Sequence, residues 1–140
     1  MSRRALVLVL PLAAVGATGC EADAQTPTTT DSPAARLLQP AAFAEMIRRP
    51  SVTAVNVHTP YEGEIPGTDV FVPFDRIRDE RERLPADTAT LIAVYCRSGR
   101  MSSDAARTLA GLGYTNVVEL QGGMDAWEAS GRSVEHDAGG

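Results

Sequence analysis

The chain has 140 residues, 44% of them hydrophobic and 22% charged, an ordinary globular composition with room for one domain rather than two. A formal net charge of -5 and a pI near 5.0 argue against a nucleic-acid partner, because a polyanionic backbone would repel the chain and no basic stripe offsets that. Two cysteines, Cys20 and Cys96, are too few for a disulfide framework or a four-cysteine zinc site, and 5% aromatics leave the core to Val, Leu, Ile and Ala.

Residues 1–19 run from a positive start, Ser2-Arg3-Arg4, through an apolar stretch (5–15) to small residues ending at Gly19, just before Cys20. Positive, apolar, small is the order of an export signal, and the apolar run is short for a membrane span. The segment resembles a bacterial lipoprotein signal, which implies Cys20 as the lipid-modified first residue of the mature chain. An ordinary secretory signal with an incidental Cys20 is the alternative, and Arg3-Arg4 followed by Leu6 leaves the twin-arginine route open. Loss of the leader leaves 11 arginines against 18 acidic residues, a charge of -7. Residues 20–36, rich in Thr, Pro and Ala, lack large apolar side chains and read as a solvated tether behind the lipidated Cys20. The expected location is therefore outside the cytoplasm, on the outer side of the cytoplasmic membrane or in the periplasm, with the membrane contacted through the lipid anchor.

From residue 37 to 133 the pattern predicts one folded domain, followed by a flexible tail at 134–140. A helix opens at Pro40, with Phe43, Met46 and Ile47 on one face and Pro50 as its stop. Branched residues at 52, 55 and 57 predict a strand over 51–57, and 70–72 a short second strand. A helix is expected over 76–84, capped by Asp75 and ended by Pro85, with its interleaved charges on a solvated face. Residues 90–95 form a nearly continuous apolar run, as in a strand buried on both faces of a parallel sheet. A helix over 103–112 follows, with Ala105, Ala106, Leu109 and Leu112 on its buried face and Gly113 as its stop. A last strand over 116–120, a Gly122-Gly123 turn and a short helix over 124–130 holding Trp127 complete the domain. This alternation predicts an α/β class with a central parallel sheet flanked by helices.

The chemistry concentrates in Cys96-Arg97-Ser98-Gly99-Arg100-Met101-Ser102, just beyond the carboxyl end of the buried strand and before a helix, where open α/β sheets bind ligands. A thiol facing a helix N-terminus has its thiolate favoured. Gly99 permits a tight turn whose N–H groups converge on an anion, and Arg97 and Arg100 add fixed positive charge. Each arginine taken alone is also consistent with a surface pair to Asp104 or Glu119. As a set, the loop reads as a nucleophilic sulfur in a cradle for a small anion, with no cluster that would hold a metal or organic cofactor.

That loop resembles the active-site loop of the rhodaneses, single-domain thiosulfate sulfurtransferases. Three further segments are similar to the family's motifs in order: 55–60 (Val-Asn-Val-His-Thr-Pro), 63–67 (Gly-Glu-Ile-Pro-Gly) and 120–127 (Leu-Gln-Gly-Gly-Met-Asp-Ala-Trp). The resemblance covers about residues 38 to 130 and implies the rhodanese-like three-layer fold. It implies catalysis through a Cys96 persulfide, with substrate bound by Arg97, Ser98, Gly99, Arg100, Met101 and Ser102 and without metal or cofactor. The implied partners are a small anionic sulfur donor and a thiol or protein acceptor; with Cys20 lipidated, Cys96 would have no second thiol to resolve its persulfide. The sequence departs from the family at Asn56 and His58, where Asp and Arg are usual, at Glu64, usually His, and at Met101, often Arg, Ala or Ser. The changes at Asn56 and His58 remove an ion pair that the resemblance implies, and His58 stands either as its substitute or as an exposed, neutral bystander. Gly122, Gly123 and Trp127 are assigned to turn and core. Two alternatives share the loop: a non-catalytic carrier or sensor of sulfane sulfur at the envelope, and a cysteine phosphatase or arsenate reductase. The second of these typically needs an Arg six positions after the Cys, where this chain has Ser102.

Overall fold

The computed structural model describes residues 35–136; the export signal, Cys20 and nearly all of the tether lie outside the described residues. Five strands, β1 (Arg36–Leu38), β2 (Val52–Asn56), β3 (Val70–Phe71), β4 (Leu91–Tyr95) and β5 (Val117–Leu120), form one sheet in the order β1-β5-β4-β2-β3. Every pairing is parallel. Three α-helices, α1 (Pro40–Ile47), α2 (Arg100–Gly111) and α3 (Gly123–Ala129), cover it. Ala105, Ala106 and Leu109 of α2 pack with Val55, Ile92, Val94 and Val117 on one face of the sheet. Phe43 of α1 and Met124 and Trp127 of α3 pack with Ala93, Tyr95, Val118 and Leu120 on the other. Alternation along β4 and β5 thus feeds both layers, which is why β4 reads as an unbroken apolar run. The result is the three-layer α/β architecture with a central parallel sheet.

Three elements differ from the expectation. Arg36–Leu38, placed at the tether's end, forms edge strand β1 in register with β5, Arg36 opposite Val118 and Leu38 opposite Leu120. Residues 76–84 do not form an α-helix. They make turns and a three-residue 3₁₀ segment, Arg81–Arg83, because between Arg76 and Arg83 only Ile77 is buried and no apolar stripe can dock a helix. Val134 and Glu135, placed in the tail by the sequence, make contacts with the domain. Glu135 bridges antiparallel to Glu64, and Val134 packs against the α1/α3 core layer.

The topology fixes where a site can form. From β2 the chain moves outward to β3, whereas from β4 it moves the other way to β5, so the loops leaving the carboxyl ends of β2 and β4 diverge. That divergence leaves a crevice at the carboxyl edge of the sheet. The β2 loop carries His58 to Gly67, and the β4 loop carries Cys96 to Gly99.

Candidate functional site

Cys96 directly follows β4 and is 1% exposed, a free thiol at the edge of the α2-side core. The next three residues turn sharply: Gly99, at φ 106, is in the left-handed region that favours glycine, and its N–H donates to the Cys96 sulfur at 3.0 Å. Helix α2 starts at Arg100, three residues earlier in sequence than its periodicity suggested, because Gly99 turns the chain directly into helical geometry. Its first-turn N–H groups, which have no carbonyl one turn back to bond, therefore lie at the same end as the sulfur.

Helix α3 closes the loop from the opposite layer. The N–H groups of Met124 and Asp125 donate to the carbonyls of Cys96 (2.9 Å) and Arg97 (3.0 Å). Gly123, at φ 61, passes so close that a Cβ there would fall onto those same two carbonyl oxygens. The Gly-Gly turn assigned to architecture thus shapes the active loop directly.

Arg97 does not point its charge into an empty cradle. Its Nη1 donates to Glu62 Oε2 at 2.7 Å, and its Nε lies 3.4 Å from Asp125 Oδ1. His58 Nε2 is 2.6 Å from the same Glu62 oxygen. Far from being exposed, His58 is 8% accessible, because Asn56 Oδ1 accepts from its backbone N–H and Asn56 Nδ2 donates to the Gly63 carbonyl, folding the 57–63 loop inward. Hydrogen bonds from Arg97 and then from His58 hold the Glu62 carboxyl below its ordinary range, and Glu62 in turn raises Arg97. Neither arginine of the loop pairs with Asp104, which holds Arg107, or with Glu119. Arg100 is exposed and has no ion pair among the described residues. Ser98 is exposed at the loop's tip, and Met101 is half-buried against the α2-side core.

Ser102 is fully buried beneath the thiol. Its Oγ lies 3.5 Å from the Cys96 sulfur, 3.1 Å from the Gly99 carbonyl and 2.6 Å from Glu119 Oε1. Glu119, on β5, is 4% exposed and also accepts from Ser103 Oγ at 3.0 Å. Glu62, Asp125 and Glu119 are the site's residues that sequence reasoning missed. Only Glu119 carried a signal, an acid alternating with Val117 on the helix-facing side of a buried strand. Tyr95, by contrast, supports the far wall: its hydroxyl meets the Ile65 N–H (2.9 Å) and Thr68 Oγ1 (2.6 Å). Beside Arg97, Glu62, Met124, Asp125 and His136 line a cleft of about 20 Å³. Among the described residues no three His, Cys, Asp or Glu side chains converge as metal ligands would.

The chain matches the rhodanese-like domain family over residues 39–130. A sulfurtransferase of Allochromatium vinosum is 35% identical over 86 residues, covering 59% of this chain and 78% of its own. Among solved structures, a rhodanese-related protein of Thermoplasma volcanium superposes with a TM-score of 0.62 at 28% identity, over 73% of this chain and 99% of its own. A Rhodopseudomonas palustris protein described as a possible tyrosine phosphatase shares the fold, with a TM-score of 0.58 at 23% identity over 72% of this chain and 85% of its own.

Proposed function

The chain belongs to the rhodanese-like family, and on that premise we propose that it transfers sulfane sulfur through a persulfide on Cys96. The observation that carries this reading is the sulfur itself, set at the carboxyl end of β4 with the Gly99 N–H 3.0 Å away and α2 beginning at once behind it. The Cys96 thiolate attacks the outer sulfur of a donor such as thiosulfate. A new S–S bond forms as the donor's own S–S bond breaks, and sulfite leaves with the electron pair. The outer sulfur of the persulfide is then taken by a nucleophile, cyanide or a thiol, which returns Cys96 as thiolate. Backbone N–H groups of the loop stabilise the anionic sulfur as an oxyanion hole stabilises oxygen, and Arg100 attracts the donor. Neither a metal nor an organic cofactor takes part in these steps.

A second reading, a carrier that loads once and waits for a partner, is favoured by one observation: Arg97 is committed to Glu62 and Asp125, which leaves Arg100 as the loop arginine without an ion pair. The phosphatase reading lacks its clamp, since Ser102 is buried on a carboxylate where an oxyanion-binding Arg would be needed. The order of residues 1–20 supports export and a lipid anchor on Cys20, and the proposal extends to a reaction at the cell envelope with a thiol or partner protein as acceptor.

Intact mass of the full chain after thiosulfate treatment, beside Cys96→Ser, tests all of this. A sulfur atom gained by the wild type alone and released repeatedly to cyanide as thiocyanate is the expected result. Loading without turnover would select the carrier, and no loading from thiosulfate or polysulfide would sink the persulfide chemistry. The same measurement on protein extracted from membranes reads the lipid on Cys20 directly.

A further inference from the structure

Glu119 is a buried carboxylate that the sulfur-transfer chemistry does not use. Both hydroxyls that reach it, from Ser102 at 2.6 Å and Ser103 at 3.0 Å, converge on Oε1. Charged groups on the elements around it are engaged elsewhere or lie outside ion-pair distance. On α2, Asp104 and Arg107 pair with each other, and Arg100 is exposed; on α1, Glu45 pairs with Arg48. Arg97 of the β4 loop is held by Glu62, which also takes His58, and by Asp125 of α3; Arg36 of β1 is exposed. A carboxylate left without a cation inside a protein must draw on its hydrogen bonds, and here one of them belongs to the residue that touches the nucleophile.

Ser102 has one proton and three neighbours: Glu119 Oε1 at 2.6 Å, the Gly99 carbonyl at 3.1 Å and the Cys96 sulfur at 3.5 Å. The shortest of these contacts, to Glu119 Oε1, takes the proton. The hydroxyl then has only lone pairs to offer the sulfur, so the Cys96 S–H donates to it. We propose that Glu119, acting through Ser102, is a positioning residue that disfavours the thiolate of unloaded Cys96. The Gly99 N–H and the start of α2 favour the thiolate, and the Glu119–Ser102 pair opposes them. A smaller thiolate fraction at rest slows the oxidation that begins on thiolates. The inference rests on Cys96 being the nucleophile, but it is read without any sulfur transfer.

The test is the rate of Cys96 alkylation by iodoacetamide across pH, followed on the Cys96 peptide of the full chain, for wild type, Glu119→Gln, Ser102→Ala and the double variant. Replacing the buried carboxyl in Glu119→Gln lowers the pH of half-maximal alkylation by about one unit, which is about tenfold faster alkylation well below both midpoints. Ser102→Ala lowers it too, because the acceptor of the S–H is gone, and the Glu119→Gln shift shrinks in that background. A Glu119→Gln profile that superimposes on the wild type or moves upward overturns the proposal, as does a shift undiminished without Ser102. An upward move in Ser102→Ala also overturns it, for it would mean that Ser102 donates to the thiolate. Should Glu119→Gln fail to fold, the sign of the Ser102→Ala shift decides alone.

Discussion

Glu62 joins the two loops that meet at the site. It takes His58 from the β2 side at 2.6 Å and Arg97 from the β4 side at 2.7 Å, so one carboxylate ties the residue next to Cys96 to the opposite wall. Its carboxyl is held below the ordinary range, chiefly by the Arg97 hydrogen bond, so the folded form binds a proton less readily than the unfolded chain. Such a group contributes stability that is full above the usual carboxylate value and is lost as pH falls through the depressed one. Replacing Glu62 by Gln therefore lowers Tm modestly near neutral pH, and the difference from wild type fades below about pH 4. A difference that stayed constant into acid would show that the network holds the loops by shape rather than by charge. At this scale the sequence was only partly legible. Cys96, Gly99 and Ser102 were visible through their spacing in a single loop. Glu62 and Asp125 were not, because their roles depend on which loops the fold brings together. The burial of His58 was not legible either, since nothing local announces that Asn56 will fold its segment inward.

Among the elements, the ones legible in advance are those that bury a face. The apolar stripe of α2 and the run through β4 specify their own period, and both form where the pattern puts them, apart from an earlier start to α2. Residues 76–84 had charge alternation but only Ile77 to bury near their start, so no helix formed there. Edge strand β1 is three residues long and exists through its pairing with β5, a signal held in the partner strand and not in Arg36-Leu37-Leu38. Helix α3 shows how an element can serve the site without carrying its chemistry. Its first two N–H groups after Gly123 hold the carbonyls of Cys96 and Arg97, an approach possible only because residue 123 has no side chain and tolerates φ 61. Gly123→Ala adds backbone strain and pushes α3 off the loop, with an expected loss of about 3 kcal/mol in stability. Denaturant unfolding measures that loss, and Cys96 loading should fall with it even at temperatures where the variant stays folded. Unchanged loading in a folded Gly123→Ala protein would mean that the loop keeps its shape without α3.

The charge of the whole molecule sets how an anionic donor arrives. The chain carries -5, a field that repels an anionic donor such as the thiosulfate proposed above. Locally the balance is little better. Arg97 is neutralised by Glu62 and Asp125, Glu128 lies at the same cleft, and Arg100 is the loop cation without an ion pair among the described residues. Repulsion from charges spread over the surface acts across tens of ångströms, whereas the attraction of Arg100 and the loop N–H groups acts at contact. Salt separates the two, because screening tightens from about 30 Å at 0.01 M to about 8 Å at 0.15 M and removes the distant field first. Over that range kcat/KM for thiosulfate should rise, by about twofold, with kcat unchanged, while an uncharged organic trisulfide used as donor shows no salt effect. At higher salt the thiosulfate curve should turn over as the loop itself is screened. A steep fall from the lowest salt onward would mean that the arginines dominate the encounter and that the acids around Arg97 do little to blunt them. In that case Glu62 and Asp125 would be positioning Arg97 for the donor rather than withholding it.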